Sequence, residues 1–163
     1  KIMEMIRHGQ ENVAIADRLH RYTRALMLTA EAGELPDVLV RELMHQFLIP
    51  QAGIRVWGAA SEHAALPFAR EVSADAKSFA SSLTLPYCGA NSGFEAAAWL
   101  EDAATVASLA LIPLRHGANS EAFGLLVLGS PDPTRFSADM GTEFLMRIGE
   151  IASASLSRLI RPE

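Results

Sequence analysis

Apolar residues recur along the first thirty positions at the spacing of one helix face. Ile15, Leu19, Tyr22 and Leu26 follow 4-3-4 steps, a thinner stripe of Ile2, Ile6, Val13 and Ala16 runs upstream, and no proline interrupts the segment. The pattern predicts a long helix, with Gly33 as its stop and Pro36 in the first turn of the next helix. That second helix carries Val38, Leu39, Leu43, Met44, Phe47 and Leu48 on a wide apolar face and ends before Pro50. The period then falls to two. Ile54-Arg55-Val56-Trp57, between Gly53 and Gly58, reads as a strand. Residues 59–106 are the least regular part: Ser73 is a candidate cap for a short helix over 74–83, 86–93 reads as a loop, and a second short helix is expected around 94–101. Segments 108–114 and 123–128 form an antiparallel hairpin across the polar linker 116–121. At the end, Ser137 is a candidate N-cap with Asp139 in the first turn, and Phe144, Ile148, Ile151, Ser155 and Leu159 share a helix face. Helix, helix, strand, irregular helical insert, hairpin, helix is an α+β order, with helices flanking a mostly antiparallel sheet.

Composition narrows the class. The 163 residues are 50% hydrophobic and 20% charged, with a net charge of −5 and a mean hydropathy of +0.16. One domain of ordinary size fits this profile, and intrinsic disorder does not. A net acidic chain without a basic block makes a nucleic-acid partner unlikely. Arg18, Arg21 and Arg24 share one helical side and read best as the solvated face opposite Leu19 and Tyr22. The one cysteine, Cys88, allows no internal disulfide, so a cytoplasmic location is the expectation. The richest apolar runs, 64–69 and 123–128, have strand length, well short of the roughly 18–20 residues of a membrane span, so no membrane partner is expected. Residues 1–10 hold no signal-peptide core.

The hairpin and the last helix carry a resemblance. Ser108-Leu109-Ala110-Leu111-Ile112-Pro113-Leu114 followed by Phe123-Gly124-Leu125-Leu126-Val127-Leu128-Gly129-Ser130 resembles the paired central strands of a GAF domain. The following Pro131-Asp132-Pro133-Thr134-Arg135-Phe136, with Asp139-Met140-Gly141-Thr142-Glu143-Phe144-Leu145, resembles a narrower group, the GAF-like bacterial family numbered 484 among the domains of unknown function. Tyr87-Cys88-Gly89 and Arg18-Leu19-His20-Arg21 fit the same family. The resemblance implies a sheet with the first and last helices on one face and an irregular insert over the other, closing a pocket. It further implies small-molecule binding, signalling through the terminal helices and a homodimer formed by them. Residues 1–35 would then be the signalling and dimerisation helix, and 36–163 the GAF-like domain. It supplies no reaction, cofactor or ligand identity.

Catalytic chemistry finds little support. Cys88 could be a nucleophile activated by His116 or His63, but an unpaired cysteine is more often a small buried apolar residue, here lining the pocket. Methionine sulfoxide reductases among GAF relatives use several cysteines, and bilin attachment uses Cys followed by His, whereas Cys88 is followed by Gly89. His8, His20, His45, His63 and His116 are scattered, with no pair at helical ligand spacing, so no metal is expected. Arg55 and Trp57 share a strand side, as do the small residues Ser108 and Ala110. If both pairs face the insert, they give a pocket with a cationic anchor, an indole wall and a small-residue floor, suited to a planar or anionic ligand. Tyr87 is a further candidate wall on the resemblance. The alternative places Trp57 in the core and lets Arg55 reach water along its stem. The expectation is therefore a non-catalytic, small-molecule-binding sensory module, with a dimeric interaction scaffold holding a vestigial pocket as the alternative.

Overall fold

The computed structural model describes residues 2–138 and 142–160, and within the first helix the side chains of residues 4 and 7–12 fall outside the description. In chain order the elements are α1 (Ile2–Met27), α2 (Leu35–Phe47), β1 (Gln51–Val56), α3 (Ala74–Ser82), β2 (Tyr87–Ala90), β3 (Ser108–Arg115), β4 (Ala122–Ser130) and α4 (Glu143–Leu156). Short 3-10 turns punctuate the connections, among them Ala32–Glu34, Pro67–Ala69 and Glu95–Trp99. The four strands pair antiparallel in the order β1-β4-β3-β2.

The central hairpin dictates the layers. All of β4 is buried, and so is β3 apart from Pro113 and Arg115. A strand buried on both sides reads as a continuous apolar run and needs a cover on each face. On one face Ile54, Val56, Ala110, Ile112, Leu126 and Leu128 pack under Leu19, Tyr22 and Leu26 of α1, Leu39 and Leu43 of α2, and Ile148 and Ala152 of α4. On the other, Leu109, Leu111, Leu125 and Val127 meet Ala80 of α3 and Ala96, Ala97, Leu100 and Val106 of the insert. The fold is α+β, with the terminal helices on one side of the sheet and the later part of the irregular insert on the other; Phe68, from the insert's first part, packs on the helix side.

Three helices end against arginines from the second half of the chain. The last carbonyls of a helix lack intrahelical partners and carry the negative end of its dipole, so a guanidinium suits them. Arg158 donates to the carbonyls of Thr29 and Ala30, at 3.0 and 2.9 Å, just past α1. Arg135 donates to Phe47 at the end of α2, at 3.0 Å. Arg115 donates to Ser81 and Leu83 at the end of α3, at 2.9 and 2.7 Å.

Several local expectations need correction. Gly33 does not stop α1, which ends at Met27; it sits in a 3-10 turn where an added Cβ would stand 3.2 Å from Leu66 and 3.3 Å from His63. Tyr87–Ala90, read as loop, is the edge strand β2; four residues on an edge are too few to show alternation. The helix expected at 94–101 is the 3-10 turn Glu95–Trp99. Ser137 does not cap α4, whose N-cap position is Thr142, and Asp139 lies outside the described residues. Of the expected face of the last helix, Ile148 and Leu159 are buried, but Phe144, Ile151 and Ser155 are only partly so; the buried row of α4 is Leu145, Ile148, Gly149, Ala152 and Leu156. The Ser73 cap is present: its hydroxyl accepts from the Ala76 N–H at 3.1 Å.

Tyr22 fastens α1 to α4. Its hydroxyl, fully buried, donates to the Ile148 carbonyl at 3.2 Å, and burial pushes the phenol far above its ordinary range. A raised phenol pKa means the folded state holds its proton after the unfolded chain has released it. The associated stability is intact below the ordinary value of about 10 and is lost as pH rises beyond it, by up to about 1.4 kcal/mol per pH unit. The urea midpoint should therefore fall more steeply between about pH 9.5 and 11 in the native protein than in Tyr22→Phe. Parallel profiles would show that Tyr22 ionises freely.

Candidate functional site

Strand alternation sorts the six sequence-derived candidates onto opposite sides of the sheet. Arg55, Trp57 and Tyr87 face the insert, whereas Cys88 and Ala110 pack with the helix-side core, and Ser108 shares the Ala110 side. The six therefore do not line one cavity.

Each of the six has local partners. The Trp57 indole N–H donates to the Ala122 carbonyl at 2.8 Å, tying the end of β1 to the start of β4. The Tyr87 ring lies over Gly89, packs against Phe94 at 4.9 Å, and donates to the Ala90 carbonyl at 3.2 Å. Ala110 is fully buried beneath the helices. Cys88 is half-buried, and burial pushes its thiol up, away from the thiolate a nucleophile requires. Of its two suggested activators, His63 lies against Gly33 and His116 sits in the β3–β4 connection.

Ser108 is a structural clasp. Its hydroxyl donates to the Asp132 carbonyl at 2.7 Å and accepts from the Phe136 N–H at 3.2 Å. Around it Ser130 Oγ accepts from Asp132 N–H at 3.1 Å, and the Asp132 carboxylate accepts from the Thr134 N–H and hydroxyl, both at 2.8 Å. Those two bonds come first among the causes that lower the Asp132 pKa. The motif 129–136 is thus a pinned turn that buries Phe136 and delivers Arg135 to the end of α2.

The space expected between sheet and insert is occupied by side chains. A Cβ added to Gly129 would stand 2.7 Å from Leu100 and 3.1 Å from Val106, and one on Gly53 would stand 3.3 Å from Leu100 and 3.4 Å from the Trp99 carbonyl. The insert rests directly on the sheet at these two glycines. Arg55 stacks 5.3 Å above the Trp99 ring at the rim of this packing.

Open space lies at the margins of this packing, in a recess of about 260 Å³ lined by Trp57, Arg70, Val72 and Lys77 among others, and in larger clefts elsewhere. A cleft of about 640 Å³ runs between α2 and the outer edge of β1, lined by Arg41, Met44, His45, Ile54, Arg55 and Phe68 among others. A second, of about 400 Å³, separates the end of β3 from α4 and includes Arg115, His116, Glu150 and Ser153. A third, of about 340 Å³, is an apolar groove between α1 and α4 with Leu26, Met27 and Ile151. Of the residues around the first cleft, Arg55 was a sequence-derived candidate, whereas Arg41 and His45, which line it, and Trp99, on which Arg55 stacks, were not. The available signal was the polar face of α2, where Asp37, Arg41 and His45 follow at four-residue steps. Among the described residues no cluster of His, Cys, Asp or Glu is placed to hold a metal ion. No helix among them is long and apolar enough to cross a membrane.

The geometry makes Ser108 a test of structural against ligand-binding roles. Ser108→Ala leaves the Phe136 N–H and the Asp132 carbonyl without a partner, at a cost of about 1–3 kcal/mol. A urea midpoint lowered by that amount is expected, and unchanged stability would contradict the clasp.

Comparison with known proteins fits this architecture. The model of the family described as "Protein of unknown function, DUF484" matches residues 1–161. The fold is similar to the GAF domain of a protein named as a sensor histidine kinase from Pseudomonas syringae pv. tomato, at 17% identity and a TM-score of 0.60, covering 94% of this chain and 92% of that one. It is also similar to the GAF domain of an Acinetobacter phosphoenolpyruvate-protein phosphotransferase, at 13% identity and a TM-score of 0.63, covering 88% and 93%. A free methionine-R-sulfoxide reductase from Neisseria meningitidis, solved with its substrate, matches at 12% identity and a TM-score of 0.56, covering 88% of each chain. No curated protein matches the chain.

Proposed function

The chain belongs to the DUF484 family and has the fold of a GAF domain, and from that premise we propose that it is a cytoplasmic regulatory module. In this reading it binds a small molecule and relays binding through its terminal helices within a homodimer. The observation that carries the proposal is the double character of α1. Its last three turns lie in the core through Leu19, Tyr22 and Leu26, while Ile2, Met3, Met5, Ile6 and Val13 at its other end are exposed. Exposed apolar patches of this kind mark interaction sites. Tyr22 and Arg158 tie the buried end to α4 and to the residues that follow it. A change in how α4 packs is thereby delivered to a helix of about 39 Å whose far end presents an association surface. Residues 1–35 act as the relay and 36–163 as the domain that responds. Transmission requires that the ligand bind one packing arrangement better than the other.

The reading is regulatory, not catalytic. The resemblance associates sulfoxide reduction with several cysteines, and this chain has one, whose thiol burial holds in the protonated form. A second reading, an interaction scaffold with a vestigial pocket, is favoured by the packing of Leu100 and Val106 onto Gly129. Native mass spectrometry separates the two: a dimer carrying extra mass that is lost on denaturation supports the sensor, and a clean dimer supports the scaffold.

Removing residues 1–14 tests the relay surface. It should halve the native mass while leaving melting within a few degrees, because Leu19, Tyr22 and Leu26 remain. A truncated chain that stays dimeric would place the interface elsewhere. For the catalytic alternative the test is alkylation. At neutral pH, Cys88 in the native protein should react with iodoacetamide at least about tenfold more slowly than in the urea-unfolded chain. Faster labelling of the native protein would reveal an activated thiolate.

A further inference from the structure

The outer edge of β1 combines unpaired main-chain donors with uncompensated positive charge. Trp57 N–H donates to the Phe123 carbonyl at 2.8 Å. Alternate residues of an antiparallel strand bond to the same neighbour, so Arg55 and Gly53 turn their main chain toward β4 while Ala52 and Ile54 turn theirs outward. The outward N–H groups of Ala52 and Ile54 have no partner among the described residues. The Arg55 guanidinium folds to the same edge. It donates to the Ile54 carbonyl at 3.2 Å, rests on Trp99, and keeps most of its five donors free.

No described carboxylate lies within ion-pair distance of Arg55 or of Arg41, which faces it from α2 across the cleft. Burial, and then the nearby positive charge of Arg70, lower the Arg55 pKa, as expected of a guanidinium that lacks an anion. A half-desolvated arginine fixed by stacking and short of a counter-ion has less order to lose on capturing one. Met44 and Phe68 supply apolar wall beside these donors. Asp37 is the one carboxylate lining the cleft, which disfavours ligands carrying several negative charges.

We propose that this cleft binds a small monocarboxylate with an apolar body. Arg55 and the outward N–H of Ile54 hold the carboxylate, Arg41 adds positive field, and the body lies against Met44 and Phe68. The inference rests on the small-molecule part of the function proposed above and assigns its site. That site is the edge of β1, not the packed space beneath the insert.

Benzoate, with benzamide as its neutral counterpart, is the probe, followed by ¹H–¹⁵N spectra of the full chain. A dissociation constant on the order of 10 mM is expected of so small a ligand. Saturable shifts should appear at the amides of Ala52, Ile54 and Arg55. Binding should weaken at least about tenfold in Arg55→Leu and at least about threefold in Arg41→Gln, and benzamide should bind at least about tenfold more weakly. Arg41 is exposed on α2, so its variant keeps the test valid should loss of the Trp99 contact unfold the other. Equal responses to benzoate and benzamide, shifts confined to another face, or no saturation by about 50 mM would overturn the proposal. A ligand carried by the native protein that remains bound in Arg55→Leu would overturn this assignment and leave the sensory reading standing.

Discussion

The whole architecture follows from a hairpin that water cannot touch. With β4 buried along its length and β3 nearly so, the sheet cannot stand as a half-exposed layer. Each face needs its own cover, and the chain supplies two of different kinds. The helix side receives long amphipathic helices, whose leucines interdigitate with Ile112, Leu126 and Leu128. The other side receives a segment with little regular structure, which contributes mainly alanines, Leu100 and Val106. The lack of side chains at Gly53 and Gly129 lets Leu100 and Val106 of that segment lie close to the sheet, and this closeness fills the space there.

A second constraint concerns helix ends. α1, α2 and α3 each finish with carbonyls that need donors. Arg158, Arg135 and Arg115 answer this, each coming from a segment at or beyond the end of β3. The N-terminal helices are therefore held by residues from the C-terminal half. The turn that positions Arg135 is itself fixed by Ser108, Ser130 and Asp132. Hydrogen bonds from a charged donor to part-buried carbonyls such as those of Phe47 and Ser81 contribute about 1.5–3 kcal/mol each, and the exposed Arg158 pair contributes less.

Much of this was legible in the sequence, and the failures have physical causes. Elements with many repeats of their period were readable: Leu19, Tyr22 and Leu26 share a buried face, and the hairpin stands where its apolar runs indicated. The class of the fold followed from element order. β2 escaped notice because Tyr87–Ala90 offers two residues per face and holds its place through β3. The same-side pairs were also correctly formed, Arg55 with Trp57 and Ser108 with Ala110. Alternation could not say that the pairs lie on opposite sides of the sheet, because that depends on how β1 registers with β4 and β4 with β3. Ser108 looked like open floor because a small side chain implies space only when nothing reaches it, and here Asp132 and Phe136 do.

Packing both faces of the sheet leaves its edges and the outside of its helices as the surfaces where the domain meets other molecules. β2 covers one side of the hairpin, and β1 the other, but nothing in the described residues pairs with the outward N–H groups of Ala52 and Ile54. An unpaired strand edge normally invites association with another chain, and charged side chains beside it oppose that. Arg55 lies over this edge and occupies the Ile54 carbonyl, so a second strand would have to displace it. A small anion would not: it uses the guanidinium donors that the carbonyl leaves free. The same arginine that stands against strand addition thus leaves guanidinium donors open at the edge, while Ile2, Met3, Met5 and Ile6 leave the start of α1 apolar and exposed.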